Sequence, residues 1–325
     1  MRLSLLSLLL LSSCLSTSST SLSGNGDPLP SWADGGLKET IVDFVEGATD
    51  PESVHFVPPE ERIAVFDNDG TLICEKPVYS QLAFMIDRAM GYVEDDPTLG
   101  DQEPYRSLMD GTFGRTNDID AFIELAMKTH TGMLDEEFVA IAEAWLASAR
   151  HPELGRPYTE LAYAPMLELV SFLQEEDFQV WICTGGGLDF VRCYAKDVYG
   201  IGPENVIGSS TQKAYREIDG RGEFMRLAEL VNPLNDGPAK PVNINRYIGR
   251  SPIIAVGNSD GDLEMLQYVA QRHARTLTLL LHHDDGEREF AYDAGIERAL
   301  TVASEGEIEV ISMSRDFGTV FAPVP

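Results

Sequence analysis

The fold of this chain is decided by the stretch Ile63-Ala64-Val65-Phe66-Asp67-Asn68-Asp69-Gly70-Thr71-Leu72. Its first four residues form a short apolar run that ends in a turn, which is typical of a buried strand in a parallel sheet. Ligands of open α/β sheets bind at the carboxyl ends of strands, and Asp67 and Asp69 lie there. Two carboxylates this close repel each other unless a cation lies between them or their pKa values are separated. One can then act as an ionised nucleophile and the other as a proton donor.

Helical and strand patterns alternate on either side of this stretch. A helical pattern runs from Leu37 to Val45. Buried-strand patterns return at Gln179 to Cys183, Pro252 to Val256 and Thr276 to Leu281. Alternation of this kind predicts an α/β fold with a parallel sheet.

A long helical insertion interrupts the alternation between Pro77 and Glu175. Apolar residues recur there at the i, i+3, i+4 and i+7 spacing of an amphipathic helix. The sequence therefore predicts a core formed by residues 37–76 and 176–325, with an insertion at 77–175. The sets with helical spacing are Ile119, Phe122, Ile123 and Ala126; Phe138, Ile141, Ala142 and Trp145; and Met166, Leu169, Val170 and Leu173.

Three further motifs follow the first one along the chain. A hydrophobic strand ends in Val180-Trp181-Ile182-Cys183-Thr184-Gly185-Gly186, and a lysine lies in Gly237-Pro238-Ala239-Lys240-Pro241. The last motif is Val256-Gly257-Asn258-Ser259-Asp260-Gly261-Asp262, after another strand pattern. With the first motif, this order resembles the haloacid dehalogenase superfamily, in particular its phosphoserine-phosphatase-like branch. The resemblance implies a Rossmann-like parallel-sheet core whose mostly helical insertion is a cap.

The resemblance also implies roles for the motif residues. Asp67 would attack phosphorus and carry an aspartyl-phosphate, which splits hydrolysis into two easier steps. Asp69 would protonate the leaving oxygen and then accept a proton from water. Thr184, with Gly185 beside it, and Lys240 would hold the phosphoryl oxygens through a hydroxyl, backbone amides and a positive charge.

By the same resemblance, Mg²⁺ would bind to oxygen ligands at this site. These are the carboxylate of Asp67, the backbone carbonyl of Asp69, and Asn258 and Asp262 of the last motif. Phosphatases of the superfamily usually have Asp where this chain has Asn258. An amide oxygen can bind Mg²⁺ but adds no charge, so we expect either weaker metal binding or a larger share for Asp262.

Two further groups of polar residues are candidates for the rim of the site. Glu75 and Lys76 follow the first motif, and either could line the substrate pocket or form a solvated pair. The residues 282–285, His-His-Asp-Asp, follow an apolar strand pattern. They could contact substrate or a second metal, although a polar turn between a strand and a helix is the commoner arrangement.

The composition excludes one class of partner. The chain has 325 residues and a formal net charge of −29. A surface this acidic repels phosphate backbones, so nucleic-acid binding is not expected. The basic residues are 18 Arg and only 6 Lys. An acidic surface poor in Lys fits either a protein adapted to concentrated salt or one that is simply kept soluble by charge.

The first residues predict export. An apolar run after Arg2 is too short to span a bilayer, and it ends in Leu11-Ser12-Ser13-Cys14. This ending resembles the lipobox of bacterial lipoproteins, which implies a signal peptide at 1–14, a lipid on Cys14 and a location in the cell envelope. An ordinary secretory signal is the alternative. A Ser/Thr-rich tether is predicted at 15–36.

These patterns together predict an exported, Mg²⁺-dependent phosphomonoesterase that acts on a small phosphorylated metabolite. Two alternatives remain at this level. One is a surface lipoprotein that binds a phosphorylated ligand without turnover, and the other is a different hydrolase of the same superfamily. The motifs leave the identity of the substrate and the oligomeric state open.

Overall fold

The computed structural model of the protein describes residues 26–113 and 119–323, and its centre is a parallel β-sheet. Within the described residues, the sheet has six strands in the order β3-β2-β1-β6-β7-β8, and each neighbouring pair is parallel. The two remaining strands, β4 and β5, form an antiparallel hairpin apart from this sheet. The strands are β1 (Ile63–Phe66), β2 (Gln179–Gly187), β3 (Val206–Ser209), β4 (Thr211–Ile218), β5 (Arg221–Leu230), β6 (Ile254–Gly257), β7 (Leu277–His282) and β8 (Glu309–Ser312).

Helices surround the sheet and form the insertion. The α-helices are α1 (Gly36–Thr49), α2 (Ser80–Asp95), α3 (Tyr105–Met109), α4 (Ile119–His130), α5 (Asp135–Ser148), α6 (Ala164–Glu175), α7 (Leu188–Arg192), α8 (Ala195–Tyr199), α9 (Ala239–Tyr247), α10 (Leu263–Ala270), α11 (Glu297–Ala303) and α12 (Met313–Asp316).

Strand β1 lies in the middle of the sheet and is buried on both faces. Ala64 and Phe66 pack into one apolar cluster, and Val65 packs into a second cluster on the other face. Burial of a side chain as large as Phe66 contributes about 1.5–3 kcal/mol. The apolar run that predicted a parallel strand is therefore a central strand, and a strand covered on both faces needs an apolar side chain at every position.

The strand order places a binding site beside the end of β1. The chain goes from β1 to β2 on one side, and it returns to β6 on the other side of β1. Phe66 is in register with Ile182 of β2 and with Val256 of β6. The loops that follow these three strands therefore meet at one edge of the sheet, at the switch point where ligands of such sheets bind. The predicted α/β fold with a parallel-sheet core is confirmed.

The cap differs from the predicted insertion at 77–175 in two ways. Helix α6 belongs to the core, because it packs directly against strand β2 of the sheet. The hairpin β4–β5 lies within the predicted core segment, yet it packs against the cap. Its Met225 pairs with Leu134 at the start of α5. The cap therefore combines α2 to α5 with a hairpin inserted later in the chain.

The predicted tether at 15–36 is too long. Residues 1–25, with the predicted signal peptide and Cys14, lie outside the described residues. The remainder packs on the core, where Leu29 and Trp32 are buried and the Trp32 indole N–H donates to the Pro165 carbonyl at 2.8 Å. Among the residues that the structure describes, no helix has the length and apolar character needed to cross a bilayer.

Candidate active site

The loop after β1 is folded tightly by its own backbone. The backbone N–H of Asp67 donates to the Val256 carbonyl at 2.9 Å, which extends the pairing of β1 with β6. The Asn68 carbonyl then accepts from three successive amides, those of residues 71 to 73. Gly70 has φ +78°, a conformation that side chains with a Cβ rarely adopt. These bonds hold Asp67 and Asp69 at the end of the strand.

Lys240, at the start of α9, lies between two carboxylates. Its Nζ is 2.6 Å from Asp67 Oδ1 and 2.6 Å from Asp262 Oδ1, and it also donates to the Cys183 carbonyl at 2.8 Å. Burial opposes the charge of Lys240, but the two carboxylates raise its pKa above the usual range. Burial and the charge of Asp262 raise the pKa of Asp67, and the Lys240 ammonium acts against them. The contact between Lys240 and Asp67 is thus a buried ion pair.

Both carboxylate oxygens of Asp262 accept hydrogen bonds. One carboxylate oxygen accepts from Lys240. The other accepts from the backbone N–H groups of Asn258 and Ser259, both at 3.0 Å, and from the Ser259 hydroxyl at 3.1 Å. Through these contacts Asp262 holds Lys240 and the last motif in place, and its role as a metal ligand stays a prediction.

The carboxyl group of Asp69 has different surroundings from that of Asp67. Its Oδ1 is buried and has no hydrogen-bond partner among the described residues. Burial raises the pKa of Asp69 to about 6, and the nearby charge of Glu75 acts in the same direction. Its Oδ2 would lie 3.4 Å from a Cβ added to Gly186. Asp69 thus presents a carboxyl group that holds a proton more readily than usual, facing the end of β2.

The end of β2 offers a hydroxyl and backbone N–H groups. The hydroxyl of Thr184 accepts from the Gly186 N–H at 2.9 Å, and the Thr184 carbonyl accepts from the Asn235 side chain at 2.8 Å. The Gly187 N–H donates to the Gln81 amide oxygen of α2 at 2.7 Å. This last bond joins the core directly to the cap.

A cavity of about 380 Å³ brings most of the predicted residues together. Asn258 and Asp262 are instead buried beneath it, at 3% and 0% exposure. The predicted residues that line the cavity are Asp67, Asp69, Glu75, Thr184, Gly185 and Lys240.

The donors beneath the cavity fit a hard divalent cation. The Asn258 amide oxygen accepts from the Thr71 hydroxyl at 3.0 Å, and the Asn258 amide packs so closely that a Cβ added to Gly70 would lie 2.1 Å from its nitrogen. Asp67, the Asp69 carbonyl and Asn258 therefore supply oxygen atoms from two adjoining loops. Among the described residues, no group of three or more His, Cys, Asp or Glu side chains is arranged so that it could by itself hold a metal ion. Mg²⁺ commonly uses one or two carboxylates together with substrate phosphate, so the residues present fit Mg²⁺.

The segment after β7 holds the first-motif loop, which the sequence did not predict. The two ring nitrogens of the buried His283 lie 2.7 Å from the Gly70 carbonyl and 3.1 Å from the Glu289 carboxylate. Glu289 also accepts from the Cys74 thiol at 3.1 Å. Tyr292 stacks on His283 at 4.5 Å between ring centres, and its hydroxyl donates to Glu75 at 2.6 Å. Since Glu289 and Tyr292 lie in an irregular segment, no periodicity or motif marks them.

The other polar residues of 282–285 have structural partners. His282 contacts Asp293 at 2.7 Å. Asp284 accepts from the Ser312 hydroxyl at 2.5 Å, and Asp285 pairs with Arg288. These contacts support the turn interpretation for those three residues.

A buried cluster of charges joins the cap to the core beside the cavity. Arg226 of β5 contacts Asp135 of α5 and Asp189 of α7, both at 2.6 Å. Lys213 of β4 contacts the same two carboxylates at 2.8 and 3.0 Å. The charges of Arg226 and Lys213 outweigh burial and lower the pKa of Asp189. Because the four charges balance, the cluster connects four elements without leaving a net charge.

Comparisons with known proteins are consistent with this geometry. The profile of the haloacid dehalogenase-like hydrolase family matches residues 64–267. The fold is similar to that of a conserved protein of unknown function from Anaerococcus prevotii DSM 20548, with a TM-score of 0.57 and 17% identity, over 85% of this chain and 91% of that chain. It is also similar to a protein of unknown function from Bordetella pertussis Tohama I, with a TM-score of 0.50 and 15% identity, over 78% of this chain and 99% of that chain. A comparison with curated proteins finds no match.

Proposed function

Because the chain belongs to the haloacid dehalogenase-like hydrolase family, we propose that it hydrolyses phosphomonoesters through an aspartyl-phosphate on Asp67. The observation that carries the proposal is the contrast between two carboxyl groups in one cavity. Asp67 is paired with Lys240 at 2.6 Å, whereas the buried Oδ1 of Asp69 has no partner among the described residues. Such a pair supplies a nucleophile and a proton donor side by side.

In the first step, a carboxylate oxygen of Asp67 forms a bond to phosphorus and the bond from phosphorus to the leaving oxygen breaks. Asp69 gives its proton to that oxygen, so the alcohol leaves neutral. Lys240 and the Thr184 hydroxyl lie where they can stabilise the negative charge on the phosphoryl oxygens. Their positions are fixed before the reaction by the bonds described above.

In the second step, water attacks the aspartyl-phosphate and the bond from phosphorus to Asp67 breaks. Asp69, now ionised, accepts the proton of that water, which returns both carboxyl groups to their starting states. Mg²⁺ held by Asp67, the Asp69 carbonyl and Asn258 would supply positive charge to the phosphoryl oxygens in both steps.

The proposal is tested by release of phosphate from p-nitrophenyl phosphate in the presence of Mg²⁺. We expect turnover that EDTA abolishes and that added Mg²⁺ restores. The matched control is Asp67→Asn, which keeps the size of the side chain. Binding of a phosphate ester with no release of phosphate would overturn the proposal in favour of a binding protein without turnover.

We also propose that the protein is exported and attached to a membrane through a lipid on Cys14. The support is the sequence of residues 2–14, with its apolar run and its lipobox-like ending. Burial of acyl chains contributes about 0.8 kcal/mol per CH₂, which outweighs the repulsion of an acidic body from anionic lipid. Wild-type protein should then fractionate with membranes and Cys14→Ser with soluble protein. If the wild-type protein and Cys14→Ser are both found in the soluble fraction, an ordinary secretory signal is the interpretation that remains.

A further inference from the structure

One face of helix α4 lines the catalytic cavity, although Phe122 and Ala126 on this face also pack against a small apolar cluster within the cap. Its apolar residues at helical spacing predicted only that the segment packs somewhere. In the structure, the side chains of α4 that are buried in protein are three others, Leu125, Thr129 and His130. The apolar stripe on the cavity side consists of Ile119, Phe122, Ile123, Ala126 and Met127.

The walls around this stripe are also mainly apolar. Tyr79 precedes α2 and lies 6.3 Å from Phe122 between ring centres. Phe190 of α7 and Leu230 at the end of the hairpin complete the wall. Thr184 and Lys240 line the same cavity, so the leaving group of a phosphate ester held by them would share the remaining space with α4.

The positive charges of the cavity are already paired with carboxylates. Among the lining residues that the structure describes, the cationic side chains are Arg226 and Lys240, and each is paired with two carboxylates at 2.6 Å. His130 is neutral near pH 7, because burial and the charges of Arg226 and Arg88 lower its pKa to about 3. A leaving group with a carboxylate or a second phosphate would therefore meet no unpaired positive charge from these residues.

We propose that the preferred substrates are phosphate monoesters of neutral, apolar alcohols about the size of one aromatic ring. This inference rests on the proposed phosphomonoesterase function. A cavity of roughly 150 Å³ lined by apolar side chains is enough to bind benzene. The 380 Å³ found in this protein leaves room for such a group together with phosphate. Glu75 also lines the cavity, and its carboxylate accepts from the Tyr292 hydroxyl.

The test compares esters of primary alcohols, whose leaving groups have similar intrinsic reactivity. Benzyl phosphate is the apolar substrate, and glycerol 1-phosphate, phosphoserine and choline phosphate are the polar, zwitterionic and cationic ones. We expect kcat/KM for benzyl phosphate to exceed that for each of the others by about tenfold or more, which is the effect of burying part of an aromatic ring.

Variants of α4 then test whether its side chains cause the preference for benzyl phosphate. Phe122→Ala should lower kcat/KM for benzyl phosphate about tenfold more than for glycerol 1-phosphate. Ile119→Ser provides a second variant that does not threaten folding, because Ile119 is 58% exposed, and it should act in the same direction. The control is Glu124→Ala on the solvent-facing side of the same helix, which should leave the ratio unchanged.

The outcomes separate the two proposals. Faster hydrolysis of phosphoserine, choline phosphate or glycerol 1-phosphate than of benzyl phosphate would overturn the apolar-substrate inference and leave the phosphatase function intact. An unchanged substrate ratio in both α4 variants would do the same. Failure to release phosphate from any ester, including p-nitrophenyl phosphate, would overturn the proposed function itself.

Discussion

The carboxyl groups of Asp67 and Asp69 are two residues apart, yet their neighbours separate their tasks. Asp67 faces the ammonium of Lys240, which favours its ionised form. Burial raises the pKa of Asp69 to about 6, so a substantial fraction of it holds a proton in mildly acidic solution. Burial raises the pKa of both carboxyl groups, so in the proposed mechanism the division of work between nucleophile and acid rests on the Lys240 ammonium beside Asp67.

Substitution of each acid by the matching amide should give different losses. In Asp67→Asn no phosphoenzyme can form, and we expect turnover to fall by several orders of magnitude. In Asp69→Asn the nucleophile remains, so release of p-nitrophenolate, a good leaving group, should suffer less than release of an alkyl alcohol. General acid catalysis is worth about 10²–10⁴-fold, and the alkyl ester should lose most of it.

The same pair can be followed by trapping of the intermediate. The Asp69→Asn protein lacks the base for the second step, so mass spectrometry after rapid quenching should find a phosphoryl group on Asp67. Circular dichroism of both variants provides the folding control. Wild-type turnover in Asp67→Asn would contradict the mechanism, whatever the result for Asp69→Asn.

Asn258 is the residue at which this chain departs from the usual superfamily pattern. Its amide oxygen accepts from the Thr71 hydroxyl, and a carboxylate could keep that bond while adding a negative charge. We therefore expect Asn258→Asp to lower the Mg²⁺ concentration needed for half-maximal activity by roughly tenfold. Asn258→Ala should raise it. An Mg²⁺ requirement that is the same in all three proteins would remove Asn258 from the donor set.

At the level of secondary structure, the buried strands of the core were predictable. The runs that predicted β1, β2, β6 and β7 are apolar because both faces of these strands are covered. Strands β3 and β8 lie at the edges of the sheet, and their mixed apolar and polar residues give patterns that do not stand out. Edge strands have one neighbour and need less apolar surface.

The hairpin β4–β5 has a local sequence signal in the two residues that link its strands. Asp219 and Gly220 link its strands, and both have positive φ, 52° and 77°. A two-residue Asp-Gly link between strand patterns is a strong hairpin indicator. That the hairpin packs against the cap is not a local property, because the contacts of Arg226 with Asp135 and Asp189 join distant parts of the chain.

The segment between β7 and α11 should position the first-motif loop through His283. His283→Leu removes the polar contact with the Gly70 carbonyl and leaves the Glu289 carboxylate with one partner fewer. We expect kcat to fall about tenfold or more with little change in KM, because the loop carries Asp69 and the phosphate-holding residues lie elsewhere. His283→Gln places an amide N–H near the same carbonyl and should restore part of kcat. An equal loss in both variants, with reduced stability, would indicate a purely structural role.

Helix α4 ends in a histidine that makes stability depend on pH. The pKa of His130 is about 3 in the folded protein and near 6.5 in an unfolded chain. Between these values the unfolded chain binds a proton that the folded protein does not. The free energy of unfolding should therefore fall by about 1.4 kcal/mol per unit as pH decreases from 6.5 towards 3, and His130 should have no effect above that range.

Urea unfolding of wild type and His130→Gln at pH 7, 6, 5 and 4 measures this contribution. The other acids and bases titrate in both proteins, so the difference between the two curves isolates His130. We expect the variant to lose less stability per pH unit below 6.5. Parallel curves would show that His130 accepts a proton without penalty.

For the molecule as a whole, the order of the motifs predicted the family and the residues that meet in the cavity, because parallel strands end at one edge of the sheet. The lining of the cavity by α4 was not predictable, since spacing shows that a helix has an apolar face but not what that face contacts. The same limit applies to Asp189. Its i, i+3 spacing from Arg192 favours an ion pair between these two residues on the helix surface, whereas Asp189 is buried and contacts Arg226 more closely, at 2.6 Å against 3.8 Å.

The net charge of −29 belongs to the whole molecule and predicts how its stability responds to salt. Repulsion among the excess carboxylates opposes the compact state, and it is screened as the Debye length falls from about 10 Å at 0.1 M salt to about 3 Å at 1 M. Salt also weakens ion pairs at the surface, but these contribute little individually. We therefore expect the urea midpoint to rise between 0.1 and 1 M KCl.

If charge serves only solubility, the midpoint should level off once repulsion is screened, whereas a protein adapted to concentrated salt should gain stability well above 1 M. Tetramethylammonium chloride at the same ionic strength separates screening from binding of K⁺, and a midpoint that falls in 1 M KCl would show that ion pairs outweigh the repulsion.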